Sequence, residues 1–224
     1  MPGDTPANAR APSGYRKGEE TRARILDAAL VEFGLNGYAA ATTRQIADRA
    51  EVNLPALTYY FGGKEGLYLA CAQTIVAGYR DGVGNVALDV TRALAGTSMV
   101  PAEAAALLRR LMAALAHFLL STGEAAHRTL FVQREIASPG PAFEILYAEL
   151  WRPGIAMAAE LIGRARGGGI GEGEARLRAV MMISSLTGLV EGRDIIARAI
   201  GDPDQLDAVV AILNDQIDAM VRPG

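Results

Sequence analysis

The stretch Thr42-Thr43-Arg44-Gln45-Ile46-Ala47-Asp48-Arg49-Ala50-Glu51-Val52-Asn53-Leu54-Pro55-Ala56-Leu57-Thr58-Tyr59-Tyr60-Phe61 decides the fold. Thr42, followed three residues later by Gln45, forms a capping box that opens a short helix through Ala50. Glu51-Val52-Asn53 makes a turn, and Asn53 caps a second short helix from Leu54 to Phe61. Pro55 is tolerated there because first-turn amides have no intrahelical partner. Gly62-Gly63 ends it. Two short helices crossing near right angles need small and apolar residues at fixed offsets, so that the second projects into a major groove about 12 Å wide. Ile46, Ala47, Ala50, Val52, Leu57 and Tyr60 occupy those offsets. Ala47 permits close approach and Val52 anchors the turn, so the pattern predicts a DNA-reading helix-turn-helix.

Upstream, Ile25, Leu26, Ala29, Leu30 and Phe33 recur at helical spacing between Glu19 and Leu35, with Gly34 and Gly37 as the stop. Residues 1–17 are rich in Pro, Gly, Ala and small polar side chains, and the reading is a disordered arm. Arg16 and Lys17 on that arm are placed to follow a DNA backbone or enter a minor groove. Downstream, Pro, Gly, Ser and Asp signals delimit helices from Glu65 to about Tyr79, Pro101 to Leu120 and Glu124 to Ala137. Three more follow, from Pro141 to Arg166, Glu172 to Ile200 and Pro203 to Val221. No β-branched alternation is sustained, so the chain is predicted to be all-α, with a helix-turn-helix domain at 18–66 and a larger helical bundle at 67–224. The glycine-rich segment 167–173 reads as the tip of an αα-hairpin, because it lacks the Lys-Ser/Thr and the preceding strand of a phosphate loop.

Composition narrows the function. The net charge is −3, and residues 1–66 hold eight basic and eight acidic side chains, so no basic coat marks a nonspecific nucleic-acid binder. One cysteine, Cys71, excludes an intrachain disulfide, and with only His117 and His127 for imidazole no metal site is expected. The opening segment has no apolar signal core, and no stretch reaches the length of a membrane span, so the expected location is the cytoplasm, with no membrane partner. Ser184-Ser185, His127 and Glu135 form no nucleophile elbow and no fixed base, so an enzyme and a cofactor are not expected.

Ile25-Leu26-Asp27-Ala28-Ala29, Phe33, Gly37, Thr42-Thr43, Ile46-Ala47, Ala50, Val52, Tyr59-Tyr60-Phe61 and Lys64-Glu65-Gly66-Leu67 together resemble the N-terminal signature of the tetracycline-repressor (TetR) family. The resemblance implies three N-terminal DNA-binding helices, a linking fourth helix and a C-terminal ligand-binding and dimerisation domain. Two departures stand out. Glu51 holds the turn position where the family usually has Gly, so a non-glycine residue must adopt the turn's conformation, with φ > 0 as one outcome. Leu54-Pro55 makes the start of the second helix apolar, where polar base-reading side chains are common.

The matching positions and their chemistry assign roles. Thr42, Thr43, Tyr59 and Lys64 are expected at phosphates, since hydroxyls, helix N-terminal amides and an ammonium fix register without carrying sequence. Arg44 is expected to read guanine, while Leu54, Ala56 and Thr58 touch thymine methyls or base edges. Asn53 and Pro55 complete the expected DNA-facing set.

The stretch Phe131-Val132-Gln133-Arg134-Glu135-Ile136, with Pro139, Pro141-Ala142-Phe143 and Ile145-Leu146-Tyr147, resembles the C-terminal domain of the CecR-type branch, linked to antibiotic or xenobiotic response. Pockets in helical bundles are mostly apolar with a few placed polar groups. Phe118, Phe131, Arg134, Tyr147, Trp151, Met157 and Met181 are accordingly expected to line an effector pocket, although aromatic and Met residues at this spacing also suit an ordinary core. Arg134 among apolar neighbours needs Glu135, a ligand or solvent. Broad apolar faces on the last two helices, including Met181-Met182-Ile183, Leu186, Leu189-Val190, Val209-Val210, Ile212-Leu213, Ile217 and Met220, suit a four-helix homodimer interface. The functional expectation is a homodimeric repressor on a palindromic double-stranded operator, released by a small molecule. A ligand-dependent activator and a corepressor-type regulator are the alternatives, with a helical enzyme or carrier behind them.

Overall fold

A computed structural model describes residues 13–96, 98–120, 125–200 and 206–221. The described residues form helices and turns, without strands. Helix α1 spans Ser13–Ala40, α2 Thr43–Arg49, α3 Leu54–Phe61, α4 Lys64–Leu94, α5 Pro101–Leu120 and α6 Ala125–Ala137. Then come α7, Phe143–Leu146, a π-helical turn, Tyr147–Trp151, and α8, Arg152–Ala165. Helices α9, Glu172–Glu191, α10, Arg193–Ile200, and α11, Leu206–Val221, complete the order.

The boundaries of α3 and α5 agree with the sequence reading, and four other elements differ from it. Helix α1 starts at Ser13, so Arg16 and Lys17 are exposed helical residues and not arm residues; residues 1–12 of the predicted arm lie outside the described residues. Gly37, with φ 75° and ψ 170°, kinks α1 without ending it, a backbone setting open to glycine and strained for other residues. Helix α4 continues to Leu94 through Gly78, Gly82 and Gly84, giving a rod about 46 Å long at about 1.5 Å per residue. The predicted helix from Pro141 to Arg166 is broken by the π turn just before Arg152-Pro153. The segment Glu172 to Ile200 divides at Gly192.

Two cores sit along α4. In the head, Ile25, Ala29 and Phe33 of α1 close on Ile46 and Ala47 of α2, Leu57 of α3, and Leu67, Tyr68 and Cys71 of α4. Phe131 of α6 and Leu146 of α7 belong to the same core, which ties the bundle to the head. Its rings interlock. Tyr68 meets Phe33 edge-on at 4.7 Å between centroids and Phe131 at 4.5 Å, in the range where aromatic pairs attract beyond their burial. The second core is aliphatic and alanine-rich, built from Val83 and Val90 of α4, Leu108, Leu111 and Met112 of α5, Leu161 and Ile162 of α8, Leu186 of α9, and Leu213 and Ile217 of α11. Helix α5 packs on α4, α8, α9 and α11, while α8 and α9 form the predicted hairpin, turned by Gly167 and Gly168 at φ 61° and 78°.

Helix α6 lies across α1, and Gly34 makes that crossing possible. A Cβ at Gly34 would stand 2.9 Å from the His127 carbonyl oxygen. Beside the crossing, the Arg134 guanidinium donates to the carbonyls of Gly34, at 3.0 Å, and Leu35. Arg134 therefore satisfies α1 carbonyls freed near the Gly37 kink.

Candidate nucleic-acid interface and effector cavity

Local capping sets α2 and α3 where the sequence reading places them. The Thr42 hydroxyl accepts from the Gln45 amide at 3.2 Å, and the Gln45 side chain accepts from the Thr42 amide at 2.9 Å, completing the capping box. Asn53 Oδ1 accepts from the Ala56 amide at 3.1 Å, so Asn53 acts first as the cap of α3. Between them Glu51 takes φ 53°, a left-handed conformation that costs a non-glycine residue roughly 1–2 kcal/mol. The Val52 amide bonds the Ala47 carbonyl at 3.0 Å across this turn. Helix α2 is further fixed to α1 by the Arg49–Glu32 ion pair at 2.7 Å, whose carboxylate also accepts from Asn36.

The outer surface follows from this packing. Leu57 is buried, Ala56 and Tyr60 are half-buried, and Leu54, Pro55, Thr58 and Tyr59 face outward. Tyr59 is 83 % exposed and Leu54 45 %, unusual for such side chains unless they meet something. Arg44 is exposed on α2 with no ion pair among the described residues, and Thr42 and Thr43 stand beside it. Helix α3 itself carries no charged side chain, so charge at this surface comes from its flanks. Lys64 is one flank. Its ammonium donates to the Ala39 carbonyl at 3.2 Å and lies 4.8 Å from the centre of the Tyr38 ring, pinning α4 to the end of α1. Arg22 braces the opposite side over the Phe61 ring at 5.2 Å.

A cavity of about 190 Å³ lies among α4, α5, α6 and α9. Ile75, Phe118, Leu119, Val132, Ile136 and Val190 form its apolar walls, and Arg128, Thr129 and Gln133 of α6 line it with His117 and Thr187. Of the seven side chains expected to line a pocket, the structure brings Phe118 to this cavity. Phe131 is buried in the head core against Tyr68, and Arg134 is spent on α1 carbonyls. Trp151 packs on Phe143, Tyr147 stacks on Phe143 at the surface, and Met157 joins the second core. Met181 is 64 % exposed. Residues 128, 129, 132, 133 and 136 share one face of α6, and 131, 134 and 135 share the other, as a helical repeat requires. Phe131 and Arg134, the two α6 residues expected at a pocket, lie on the second of these faces.

That second face carries a buried polar link. Glu135, 1 % exposed, accepts from the Tyr68 hydroxyl at 2.6 Å and from the Gly140 amide at 2.9 Å. Burial, then the bond to Glu135, pushes the Tyr68 hydroxyl far above the ordinary tyrosine range, so it remains a neutral donor. Burial also raises the Cys71 thiol, which marks it as an inert core group. Nothing in the sequence pairs residues 68 and 135, because the contact joins helices far apart in the chain. Among the described residues no three His, Cys, Asp or Glu side chains gather as a metal site would need. No helix there is long and apolar enough to cross a membrane.

The apolar faces of α9 and α11 divide. Met182, Leu186, Leu213 and Ile217 are buried within the chain. Leu177, Val180, Met181 and Ile212 are exposed.

Comparison with known proteins gives two family matches. Residues 25–71 match the model of bacterial regulatory proteins of the tetR family. Residues 104–222, more than half of the chain, match the C-terminal domain of the HTH-type transcriptional dual regulator CecR. A CecR protein of Shigella flexneri is 35 % identical over 137 residues, covering 61 % of this chain and 60 % of that protein. The match therefore spans less than two thirds of this curated relative. Among solved structures, the hemolysin II regulator HlyIIR superposes with a TM-score of 0.58 at 19 % identity, over 88 % of this chain and 99 % of that one. A TetR-like regulator from Rhodococcus superposes at 0.56 and 18 %, over 95 % and 96 %. These structural likenesses establish the fold.

Proposed function

Because the chain belongs to the TetR family of bacterial regulatory proteins, in its CecR-like branch, we propose that it is a homodimeric regulator that binds a palindromic operator and is released from it by a small molecule. The observation that carries this reading is the outward surface of α2 and α3: capped helices over a ring-packed core, presenting Arg44, Thr58, Leu54 and Tyr59 to solvent. Arg44 reads guanine, Leu54, Ala56 and Thr58 meet thymine methyls, and Pro55 sets the entry of α3 into the groove. Thr42, Thr43, Tyr59 and Lys64 hold phosphates, and Asn53 orders α3 for them. Such a protein works beside the chromosome, in the cytoplasm, and we assign it no catalytic role.

The exposed Leu177, Val180, Met181 and Ile212 support pairing of two copies through α9 and α11. Pairing sets two α3 helices about 34 Å apart, one DNA turn. Helix α6 supplies the coupling. One of its faces lines the cavity, and the other grips α1 through Arg134 and α4 through Glu135. A ligand that shifts α6 alters the spacing of the reading heads, and linkage requires the operator to weaken the ligand equally. The relative's description as a dual regulator favours a second reading, in which the same protein represses at one site and activates at another.

Selection of bound duplexes from a random pool tests the proposal. It predicts enrichment of a two-fold symmetric sequence, with enrichment lost in the presence of a cavity-binding compound. An unenriched pool together with turnover by the protein would favour the enzyme alternative.

A further inference from the structure

One guanidinium on the cavity wall differs from the chain's other shielded arginines. Among the described residues, the arginines that are not exposed are Arg22, Arg109, Arg128, Arg164, Arg166 and Arg178. Arg22 lies over Phe61, Arg109 pairs with Asp218, Arg164 with Glu160 and Arg178 with Glu174, and Arg166 donates to the Met220 carbonyl. Arg128 has no acceptor and no carboxylate in reach among those residues. Asp27 lines an adjoining crevice with Arg128, His127, Leu30 and Val31, yet forms no ion pair with it. Holding a cation partly out of water without a compensating partner is costly, and each of the other five has a carboxylate, a carbonyl or an aromatic ring against it.

The setting narrows what completes it. No carboxylate of the described residues lines the cavity. Thr129 and Gln133, one turn apart on α6, add a hydroxyl and an amide beside Arg128, while the remaining walls are chiefly apolar. A guanidinium at an apolar wall favours a carboxylate, which it can hold through two parallel N–H donors, and the bond strengthens as water is excluded. One cation matches one negative charge, and a dianion would carry an uncompensated charge into an apolar space. The volume, about 190 Å³, falls below the roughly 300–1,000 Å³ of drug-sized sites, which points to a single ring or a short branched chain.

We infer that the effector is a compact organic monoanion, an apolar body bearing one carboxylate, whose carboxylate pairs with Arg128; this rests on the reading of the cavity as the effector site. Thr129 and Gln133 serve the carboxylate's remaining lone pairs. Phe118, Val132 and Ile136 cover the body.

Calorimetric titration of the full chain with 4-tert-butylbenzoate and the uncharged 4-tert-butylbenzamide, which have the same shape, tests this. The benzoate is expected to bind at least about tenfold more tightly, as a charge-assisted hydrogen bond allows. In Arg128→Gln the preference disappears while benzamide affinity stays within about twofold, and Arg128→Lys keeps part of the preference; unchanged melting temperatures show that the variants are folded. Benzamide binding as tightly as benzoate, a preference that survives Arg128→Gln, or no binding of either probe would overturn the proposal. The unmutated protein alone decides the first and last of these outcomes. If benzoate binds through Arg128 but leaves affinity for the selected duplex unchanged, the regulatory reading fails and the anion site stands. If neutral apolar compounds release the duplex and anions show no advantage, the regulatory reading stands and the anion site falls.

Discussion

The two cores along α4 are closed by different means. The head core is fastened by rings, by a buried carboxylate and by an arginine clamp: Phe33, Tyr68 and Phe131 interlock, Glu135 holds the Tyr68 hydroxyl, and Arg134 holds two carbonyls of α1. The bundle core is aliphatic and rich in alanine, and a cavity opens between it and the head core, lined by Phe118 and Leu119 of the one and Ile75 and Val132 of the other, beside Arg128, which has no counter-charge among the described residues. Shape-specific ring contacts and buried hydrogen bonds favour a single arrangement, which suits a surface that must match base edges. Small aliphatic contacts are less directional, and a cavity gives up packing that an occupant restores. One region is built to hold its shape, and the other can adjust to a guest at the boundary between them.

The largest expected effect breaks the head core. Phe131→Ala should lower stability to urea unfolding by about 3–5 kcal/mol, whereas Phe118→Ala at the half-buried cavity wall should cost less than half as much. Equal losses would erase the contrast between the regions. Next, Arg44→Ala should weaken binding to the selected duplex by about 1–3 kcal/mol and relax preference at one base pair, with urea stability unchanged. Arg134→Ala sharpens the link between the two regions: operator affinity without effector should hold, while the effector's influence on it falls by about 0.5–2 kcal/mol, read from duplex binding with and without effector.

A smaller, graded effect comes from alkaline pH. Burial raises Cys71 and Tyr68 in the folded state, so the unfolded chain loses these protons first. The stability they confer is complete below their unfolded values and falls as pH rises above about 9.0 for the thiol and 10.0 for the hydroxyl. Cys71→Ala should make the first part of that decline shallower in unfolding measured from pH 8 to 11, and a steeper decline would contradict the assignment. The smallest effect is Glu51→Gly. Relief of the left-handed backbone is offset by added freedom in the unfolded chain, leaving a net gain under about 1 kcal/mol in thermal unfolding.

Legibility followed the range of the forces involved. The capping box, the Asn53 cap and the positive φ at Glu51 depend on neighbours within a few residues, and the sequence carries them directly. Which face of α6 meets the head depends on partners about a hundred positions away, such as Gly34 for Arg134, and nothing local in the sequence marks it. The run of α4 past its glycines and the π turn before Pro153 are likewise set by packing that propensity does not register.

The claim that the α2–α3 surface reads DNA is tested most directly by the salt dependence of binding to the selected duplex, measured beside a scrambled duplex. The account predicts affinity falling about a hundredfold between roughly 50 and 200 mM salt, with the selected duplex remaining the tighter at every concentration. A flat salt response, or equal affinity for the two duplexes, would contradict it.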